Sequence, residues 1–209
     1  MKVLELFAGS RSFSKVAEKF GFETYTTDFK AFDNIDQVCD IRDFDYSKLP
    51  FNPDIIWASP PCTSFSVASI GHHWTGGNQA YIPKTESAEL GMELVKDTIL
   101  KIKRLKPLYY IIENPRGLLR KLDIIPHNPK TAWYCQYGDA RAKPTDLWVN
   151  FDWTPKSCKN GNPNCHHQPA PRGSRTGTQG LKNAYERSKV PEKLCEEIIN
   201  KLIEDYNAE

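Results

Sequence analysis

Long hydrophobic runs are missing from this chain of 209 residues. No apolar stretch approaches the roughly 18 to 20 residues that a membrane-spanning helix needs. The opening residues KVLELFAG also lack the basic start and the small-residue cleavage site of a secretory signal peptide. We therefore expect a cytoplasmic protein with no membrane partner.

Cysteine is sparse and scattered along the sequence. The six positions are Cys39, Cys62, Cys135, Cys158, Cys165 and Cys195. They are spread too widely for a small scaffold held by disulfides, so we expect reduced thiols. The role of each cysteine then has to be argued from its own neighbours.

Acidic residues are scarce between positions 154 and 193. Only Glu186 and Glu192 occur there, against eight basic residues: Lys156, Lys159, Arg172, Arg175, Lys182, Arg187, Lys189 and Lys193. Such a stretch either faces phosphate groups or forms an ordinary solvated surface, and charge alone favours neither interpretation.

Short apolar or β-branched runs alternate with helical patterns. The runs predict strands over residues 2–7, 23–28, 37–41, 53–59 and 107–114, and the helical spacing predicts helices over residues 12–22 and 87–106. This alternation predicts an α/β fold, a mostly parallel sheet with helices on both faces. Because a typical domain has about 100 to 200 residues, we expect residues 1–209 to form one domain.

Three predicted strand ends carry residues typical of a nucleotide pocket. Gly9, in LFAGSRS, allows a ligand to approach the backbone closely. Asp28 ends the second strand and Asp40 lies near the end of the third. An acid about 20 residues after such a glycine binds ribose hydroxyls in nucleotide folds. The three together favour an adenosine-type pocket, although either acid alone is as well explained as the start of a loop.

Cys62 follows a double proline at the end of another predicted strand, in ASPPCTSFS. The prolines stiffen the turn and lack amide hydrogens, which places the thiol at the edge of the sheet. Glu113 ends the next long strand, where burial would raise the pKa of a carboxyl and suit it to protonating a ring nitrogen. We expect Cys62 and Glu113 to converge on one substrate, while the plainer alternative is an inert buried thiol.

Five motifs stand in order along the chain: LELFAGSRSFS, SPPCTSFS, IIENP, QYGDARAKP and RSKVPEKLCEEI. This order resembles that of the DNA cytosine-5 methyltransferases, which use S-adenosylmethionine. The resemblance covers nearly the whole chain and is closest to compact, phage-like members. It implies a Rossmann-like S-adenosylmethionine-dependent methyltransferase fold and duplex DNA as the substrate.

The resemblance also implies roles for individual residues. Cys62 would attack C6 of a flipped cytosine while Glu113 protonates or hydrogen-bonds N3. Arg141 and Lys143 match two basic positions, one for the cytosine O2 and the other for a phosphate or Glu113. The cofactor pocket would consist of Phe7, Ala8, Gly9, Ser10, Asp28, Phe29, Asp40, Ile41 and Pro60. In that pocket Asp28 would bind the ribose, Phe29 and Ile41 would sandwich the adenine, and Asp40 would accept from its amino group.

A mobile loop is expected to close over the flipped base. Residues 66–86 follow the nucleophile and contain Gly71, Gly76 and Gly77 as hinges, with His72 and His73 nearby. Adjacent histidines in a loop more often contact phosphate or solvent than a metal.

The sequence departs from the family in two ways. Arg11 and Ser12 stand where the family has glycines, and Arg187 and Ser188 stand where it has Gly-Asn. Only about forty residues separate Val149 from the last motif, where the family normally has a target-recognition domain. Residues 153–181 would form a small basic insertion in its place. We therefore expect sequence specificity that is short, relaxed or supplied by a protein partner.

This insertion contains CKNGNPNCHHQ and PRGSRTGTQG. Cys158, Cys165, His166 and His167 are candidate ligands of a structural zinc, and an ordinary loop is the alternative, since the spacing is not a common zinc pattern. Residues 171–180 have the composition of a basic, glycine-rich loop suited to a DNA backbone or groove.

Two other functions compete with cytosine-5 methylation. A DNA amino-methyltransferase also carries Ser-Pro-Pro, but it uses an aromatic residue where Cys62 stands and has no role for Glu113. A non-catalytic or RNA-directed relative would have the same fold, although such a protein gives no reason to keep both Cys62 and Glu113.

Overall fold

The computed structural model describes residues 1–77, 80–169 and 183–208. Within these ranges the strands are β1 (Lys2–Leu6), β2 (Glu23–Asp28), β3 (Gln37–Val38), β4 (Ile55–Ala58), β5 (Trp74–Thr75), β6 (Ile82–Pro83), β7 (Tyr109–Pro115), β8 (Lys130–Trp133) and β9 (Pro144–Val149). The α-helices are α1 (Ser12–Lys19), α2 (Ile70–His73), α3 (Glu86–Leu105), α4 (Ala184–Ser188) and α5 (Glu192–Ala208).

Seven strands form the main sheet, in the order β3-β2-β1-β4-β7-β9-β8. The first five are parallel, whereas β9 runs antiparallel to both β7 and β8. This confirms the predicted mostly parallel α/β sheet. The third predicted strand is shorter than expected, because the chain turns into a 3-10 helix at Ile41.

Helices cover both faces of the sheet. Helices α1 and α5 pack on one face, where Phe13 and Ile198 join a core that includes Trp57. Helix α3 packs on the other face, where Val95 joins a core that includes Ile56. Because both faces are covered, the central strands β4 and β7 are rich in apolar residues.

The turn from β1 to α1 has an unusual backbone. Phe7, Gly9 and Arg11 have φ of 56°, 48° and 56°. Left-handed conformations cost a non-glycine residue about 1 to 2 kcal/mol, and strain of this kind clusters at functional sites. Arg11 adopts the conformation in a motif where the family has glycines. The buried Glu5 carboxylate accepts the amide hydrogens of Phe13 and Ser14 and thereby caps α1.

Residues 66–86 are more structured than the predicted loop. They include α2 and the two-stranded sheet of β5 and β6. Trp74 is buried, and its indole N–H donates to the Ser64 carbonyl at 2.7 Å. His73 is also buried and its Nδ1 lies 2.8 Å from the Thr85 hydroxyl, so this histidine faces the protein, whereas His72 is exposed.

The described part of the insertion, residues 153–169, contains no helix and only one isolated bridge, between Gln168 and Arg141. The basic glycine-rich segment predicted at residues 171–180 lies outside the described residues. None of the helices in the described ranges has the length and apolar character needed to cross a membrane.

Candidate active site

The register of the parallel strands brings the predicted motifs to one edge of the sheet. The last row of residues paired across β2, β1, β4 and β7 consists of Thr27, Leu6, Ala58 and Ile112. The residues that follow this row, strand by strand, are Phe7, Asp28, Ser59 and Glu113. The chain leaves β1 for β2 on one side and returns to β4 on the other, and such a switch point is where ligands bind in parallel α/β sheets.

A cavity of about 260 Å³ opens beside the ends of β1 and β2. Five predicted cofactor residues line it: Phe7, Asp28, Phe29, Asp40 and Ile41. Ala8, Gly9, Ser10 and Pro60 are not among the lining residues, and Pro61 lines the cavity instead of Pro60. The sequence reasoning missed Thr27, Cys39, Thr63, Ser64 and the α3 residues Ser87, Leu90, Gly91 and Leu94. The helical pattern of α3 gave no sign of which ligand its surface would meet.

The two acids of the cavity are held differently. Asp28 accepts the amide hydrogens of Gly9 at 3.0 Å and Lys30 at 2.9 Å, so Gly9 acts through this carboxylate. Asp40 lies beyond the end of β3 and caps a 3-10 helix, which corrects its predicted place near a strand end. The Arg42 side chain donates to both Asp40 oxygens, at 3.0 and 2.8 Å, and this hydrogen bonding lowers the pKa of Asp40.

Cys62 lies in a tight turn after β4, which we call the nucleophile turn (residues 59–66). The Cys62 carbonyl accepts the amide hydrogens of Phe65 and Ser66 at 3.0 and 3.1 Å. The Asn114 side-chain amide donates to the Pro60 carbonyl at 2.9 Å, and the Leu118 amide donates to the Phe65 carbonyl at 2.8 Å. These bonds tie the turn to the end of β7 and the residues after it.

Two glycines allow the nucleophile turn to pack so closely. A Cβ at Gly117 would lie 2.3 Å from the Phe65 carbonyl oxygen, and one at Gly91 of α3 would lie 2.8 Å from the Ser64 hydroxyl. Both distances are shorter than any side chain tolerates without a shift of its neighbours. The turn is therefore wedged between α3 and the segment after β7.

Glu113 is buried beneath the nucleophile turn. Burial raises its pKa, while the nearby Lys143 ammonium and the Tyr134 hydroxyl, which donates to Glu113 Oε1 at 3.1 Å, lower it. Burial and the charge of Glu113 raise the pKa of the Cys62 thiol, while Lys143 and Arg187 lower it. The structure thus brings Cys62, Glu113 and Lys143 into one electrostatic group.

The two predicted basic residues have different surroundings. The Arg141 guanidinium forms a buried ion pair with Asp139 and is 6% exposed. Lys143 donates to the Arg187 carbonyl at 3.1 Å and lies over the Tyr134 ring at 4.7 Å. Burial lowers the pKa of Lys143, while Glu113 and Cys62 raise it. Lys143 is therefore the cation that faces the thiol and the carboxyl.

Sequence reasoning missed Tyr134 and Asp139 at this site. Both lie in the segment 134–143 between β8 and β9, which we call the basic loop. Tyr134 is fully buried, and Asp139 also accepts the amide hydrogen of Arg141 at 2.8 Å. Asp139 stands two positions before Arg141, so an Asp-x-Arg turn was a signal that could have been read.

A second group of side chains, Cys135, Cys158, Cys165 and His167, has its ligand atoms within 4.8 Å of one another. Of the predicted zinc candidates, Cys158, Cys165 and His167 belong to this group. His166 does not, and its Nε2 lies 3.1 Å from the Asp139 carbonyl oxygen. The sequence reasoning missed Cys135, which joins from the basic loop.

Comparison with solved structures first indicates the fold. A crystal structure described as a DNA modification methyltransferase encoded within an E. coli prophage shares the fold with a TM-score of 0.52 and 14% identity. The match covers 71% of this chain but only 46% of that one. This likeness supports a Rossmann-like methyltransferase fold.

Sequence comparison then identifies the family. The family model described as "C-5 cytosine-specific DNA methylase" matches residues 1–124. A "Probable DNA (cytosine-5)-methyltransferase" of Frog virus 3 (isolate Goorha) is 31% identical over 177 residues, which cover 81% of each chain. The chain belongs to the C-5 cytosine-specific DNA methylases and is a DNA cytosine-5 methyltransferase.

Proposed function

We propose that this chain transfers a methyl group from S-adenosylmethionine to C5 of a cytosine turned out of duplex DNA, through a covalent bond between Cys62 and C6. The observation that carries the proposal is the grouping of Cys62, Glu113 and Lys143 beside the cavity. The nucleophile turn contributes Pro61, Thr63 and Ser64 to the cavity wall, so the thiol and the cofactor pocket share one turn.

The cavity suits S-adenosylmethionine in its chemistry. Ile41 and Phe29 provide apolar surfaces for an adenine ring, and Phe29 is 61% exposed, so its ring is accessible for stacking. Asp28 is the acceptor for ribose hydroxyls, and Asp40 is an acceptor for the adenine amino group. When bound, S-adenosylmethionine supplies an electrophilic methyl group on a sulfonium sulfur.

The chain's own residues prepare the cytosine. The Cys62 thiolate adds to C6 while Glu113 in its acid form donates to N3, which moves electron density toward C5. After C5 has gained the methyl group, a base takes the C5 proton and Cys62 leaves as a thiolate, so the aromatic ring is restored.

The protonation of Cys62 and Glu113 supports their joint role in the reaction. In the resting protein the thiol carries the proton, because burial raises the pKa of Cys62. Burial also raises the pKa of Glu113, so this carboxyl binds a proton more readily than an exposed one. A shift of one proton from the thiol to the carboxylate gives the thiolate and the acid that the reaction needs without changing the net charge.

The two basic residues then divide their roles. Lys143 lies close enough to stabilise the developing charge on the cytosine O2 or on Glu113. Arg141 is balanced by Asp139, and both basic side chains donate to the Arg187 carbonyl, at 3.4 Å for Arg141 and 3.1 Å for Lys143. We assign Arg141 to holding the basic loop against the last motif, as a positioning residue.

Residues 1–209 act as one catalytic domain in this proposal, with residues 153–181 in place of a target-recognition domain. DNA recognition is then short or relaxed, or shared with a protein partner. Turning the cytosine out of the stack costs a few kcal/mol. Phosphate contacts along the basic stretch at positions 154–193 would offset this cost.

Incubation with methyl-labelled S-adenosylmethionine and duplex DNA, followed by digestion to nucleosides, tests the proposal. The expected product is 5-methyldeoxycytidine, and the Cys62→Ala variant should form none while still binding S-adenosylmethionine in a calorimetric titration. Formation of N4-methyldeoxycytidine, or methyl transfer that survives Cys62→Ala, would contradict the proposal.

A further inference from the structure

Three thiols and an imidazole from the basic loop and the insertion lie close together. We call Cys135, Cys158, Cys165 and His167 the thiol cluster. Their ligand atoms lie within 4.8 Å of one another, and Cys158 Sγ is 4.0 Å from His167 Nδ1. Tetrahedral zinc holds its sulfur and nitrogen ligands about 3.6 to 3.8 Å apart. A contraction of less than about 1 Å would therefore complete the geometry.

Two side-chain amides already point at the sulfur atoms. Asn162 Nδ2 lies 3.5 Å from Cys158 Sγ, and Gln136 Nε2 lies 3.4 Å from Cys165 Sγ. Amide N–H groups in this position stabilise thiolates and orient the ligands of a metal. This second layer is an observation independent of the cluster itself.

The surrounding chain needs such a cross-link. Residues 150–169 form no helix and have only one isolated bridge, so this stretch contributes little regular hydrogen bonding. The few main-chain ties to the basic loop include Gln168 N–H to the Ala140 carbonyl at 3.1 Å. Small regions without a core of their own commonly depend on a metal or a disulfide.

We propose that the thiol cluster binds one structural Zn²⁺ through three cysteine sulfurs and one histidine nitrogen. Three thiolates and an imidazole are a preferred ligand set for zinc, and four protein ligands leave no open position for substrate, which marks the site as structural. Binding releases the protons of the three thiols as the zinc–sulfur bonds form.

Coordination requires one local change. Nε2 of His167 accepts the amide hydrogen of Gly161 at 3.2 Å. When Nδ1 binds the metal, the ring proton resides on Nε2, so the Gly161 amide has to turn away. Gly161 has φ of 71° and no atom near its missing Cβ, so the loop has room for this change.

The zinc site would join the basic loop to the insertion. Cys135 belongs to the basic loop, whereas the other three ligands belong to the insertion that stands in place of a target-recognition domain. The metal thus fastens the insertion to the loop that carries Arg141 and Lys143, and it fixes the DNA-facing segment relative to the catalytic cation.

The test uses the full chain, freed of any histidine tag and produced in medium that contains zinc. Elemental analysis should find about one zinc per chain, and X-ray absorption should give about three sulfur ligands at about 2.3 Å. Removal of zinc by a chelator should lower the melting temperature by about 5 to 10 °C, and added zinc should restore it.

Neighbouring histidines supply a matched pair of variants. His167→Ala should lose the zinc, whereas His166→Ala should retain it, and His167→Cys should retain it because a thiolate replaces the imidazole. Retention in His167→Cys keeps the test decisive if His167→Ala fails to fold. A wild-type chain without zinc, equal loss from both alanine variants, or a disulfide among the three cysteines in the isolated protein would each overturn the proposal.

Discussion

The nucleophile turn and the basic loop face each other across the active site, but the protein holds them in different ways. The nucleophile turn is fixed by main-chain hydrogen bonds and by close contacts at Gly91 and Gly117. In the basic loop, main-chain bonds such as that from the Tyr134 amide to the Lys143 carbonyl at 3.0 Å close the loop, and side chains then fix its cation, through the Asp139 and Arg141 ion pair and the donation of Lys143 to the Arg187 carbonyl. The sheet, α3 and the segment after β7 thus position the thiol, whereas the catalytic cation depends on a side-chain contact with the last motif.

Glu113 lies in β7, and its substitution should give the largest effect on activity after the loss of Cys62 itself. Glu113→Gln removes the group that protonates N3, so methylation should fall by about 100-fold or more, as measured by label transfer to duplex DNA. The same change should raise the melting temperature at neutral pH, because burial of the ionised carboxyl is unfavourable. A variant that keeps its activity would contradict the assignment.

The pH dependence of this stabilisation has a definite sign. Burial raises the pKa of Glu113 above its value in the unfolded chain, so the folded state binds the proton more tightly. The wild-type protein therefore loses stability as the pH rises from about 4.5 through the raised pKa. The Glu113→Gln variant has no carboxyl at this position and does not show this loss of stability. The difference in melting temperature between the two proteins should grow with pH across this window and vanish below it.

An ion pair joins the segment after β7 to β9, the strand that follows the basic loop. Arg120, from the segment after β7, donates through Nε to Asp146 of β9 at 2.8 Å, and Asp146 is fully buried. Arg120→Met should lower the free energy of unfolding by about 3 kcal/mol, since it removes the charged partner of a buried carboxylate and leaves it the neutral Thr131 hydroxyl at 2.9 Å. Denaturant titration provides the measurement.

The pair of Lys130 with the exposed Asp152 is the matched control. Lys130→Met should change the unfolding free energy by less than about 1 kcal/mol, because exposed pairs contribute little. Equal effects of the two substitutions would show that burial of the first pair is unimportant.

Close packing of the nucleophile turn should give the next effect. Gly117→Ala places a Cβ against the Phe65 carbonyl, so we expect a loss of about 1 to 3 kcal/mol in stability together with slower methylation. Gly71 has no atom near its missing Cβ, and Gly71→Ala should keep the wild-type melting temperature. If Gly117→Ala also melts like the wild type, the nucleophile turn is not rigidly packed against the segment after β7.

Removal of zinc from the proposed site should have the smallest effect on activity. It should also distinguish the basic loop from the nucleophile turn. Chelation should slow methylation by about tenfold, because the basic loop shifts relative to the base. Hydrogen exchange of the main-chain amides in the nucleophile turn, followed by peptide mass spectrometry, should stay the same, since β4, α3 and the segment after β7 hold that turn. Much faster exchange in the turn on chelation would remove the distinction between the two regions.

The regions also differ in how far the sequence predicts them. The strand at residues 23–28 was predicted with its observed bounds, and the strand ends near Gly9, Asp28 and Glu113 meet as the parallel pattern indicated. Apolar runs that end in polar residues are local signals, and a parallel sheet aligns their carboxyl ends automatically. The nucleophile turn could therefore be placed before any coordinates were known.

The basic loop was harder to predict. Strands β8 and β9 were missed because a ten-residue connection separates them and no short turn links them. Cys135 is separated by more than twenty residues from Cys158, and the choice between His166 and His167 depends on which side each faces. Such relations come from tertiary packing, which spacing along a chain does not encode.

The covalent role of Cys62 is tested most directly with duplex DNA that contains 5-fluorodeoxycytidine in every sequence context. Once such a base has accepted the methyl group, it has no C5 proton to lose, so the bond between the thiol and C6 persists. With S-adenosylmethionine present, mass spectrometry of digested complexes should find the nucleotide on the peptide that carries Cys62. An adduct on another cysteine, or none under conditions that yield 5-methyldeoxycytidine from ordinary DNA, would contradict the account.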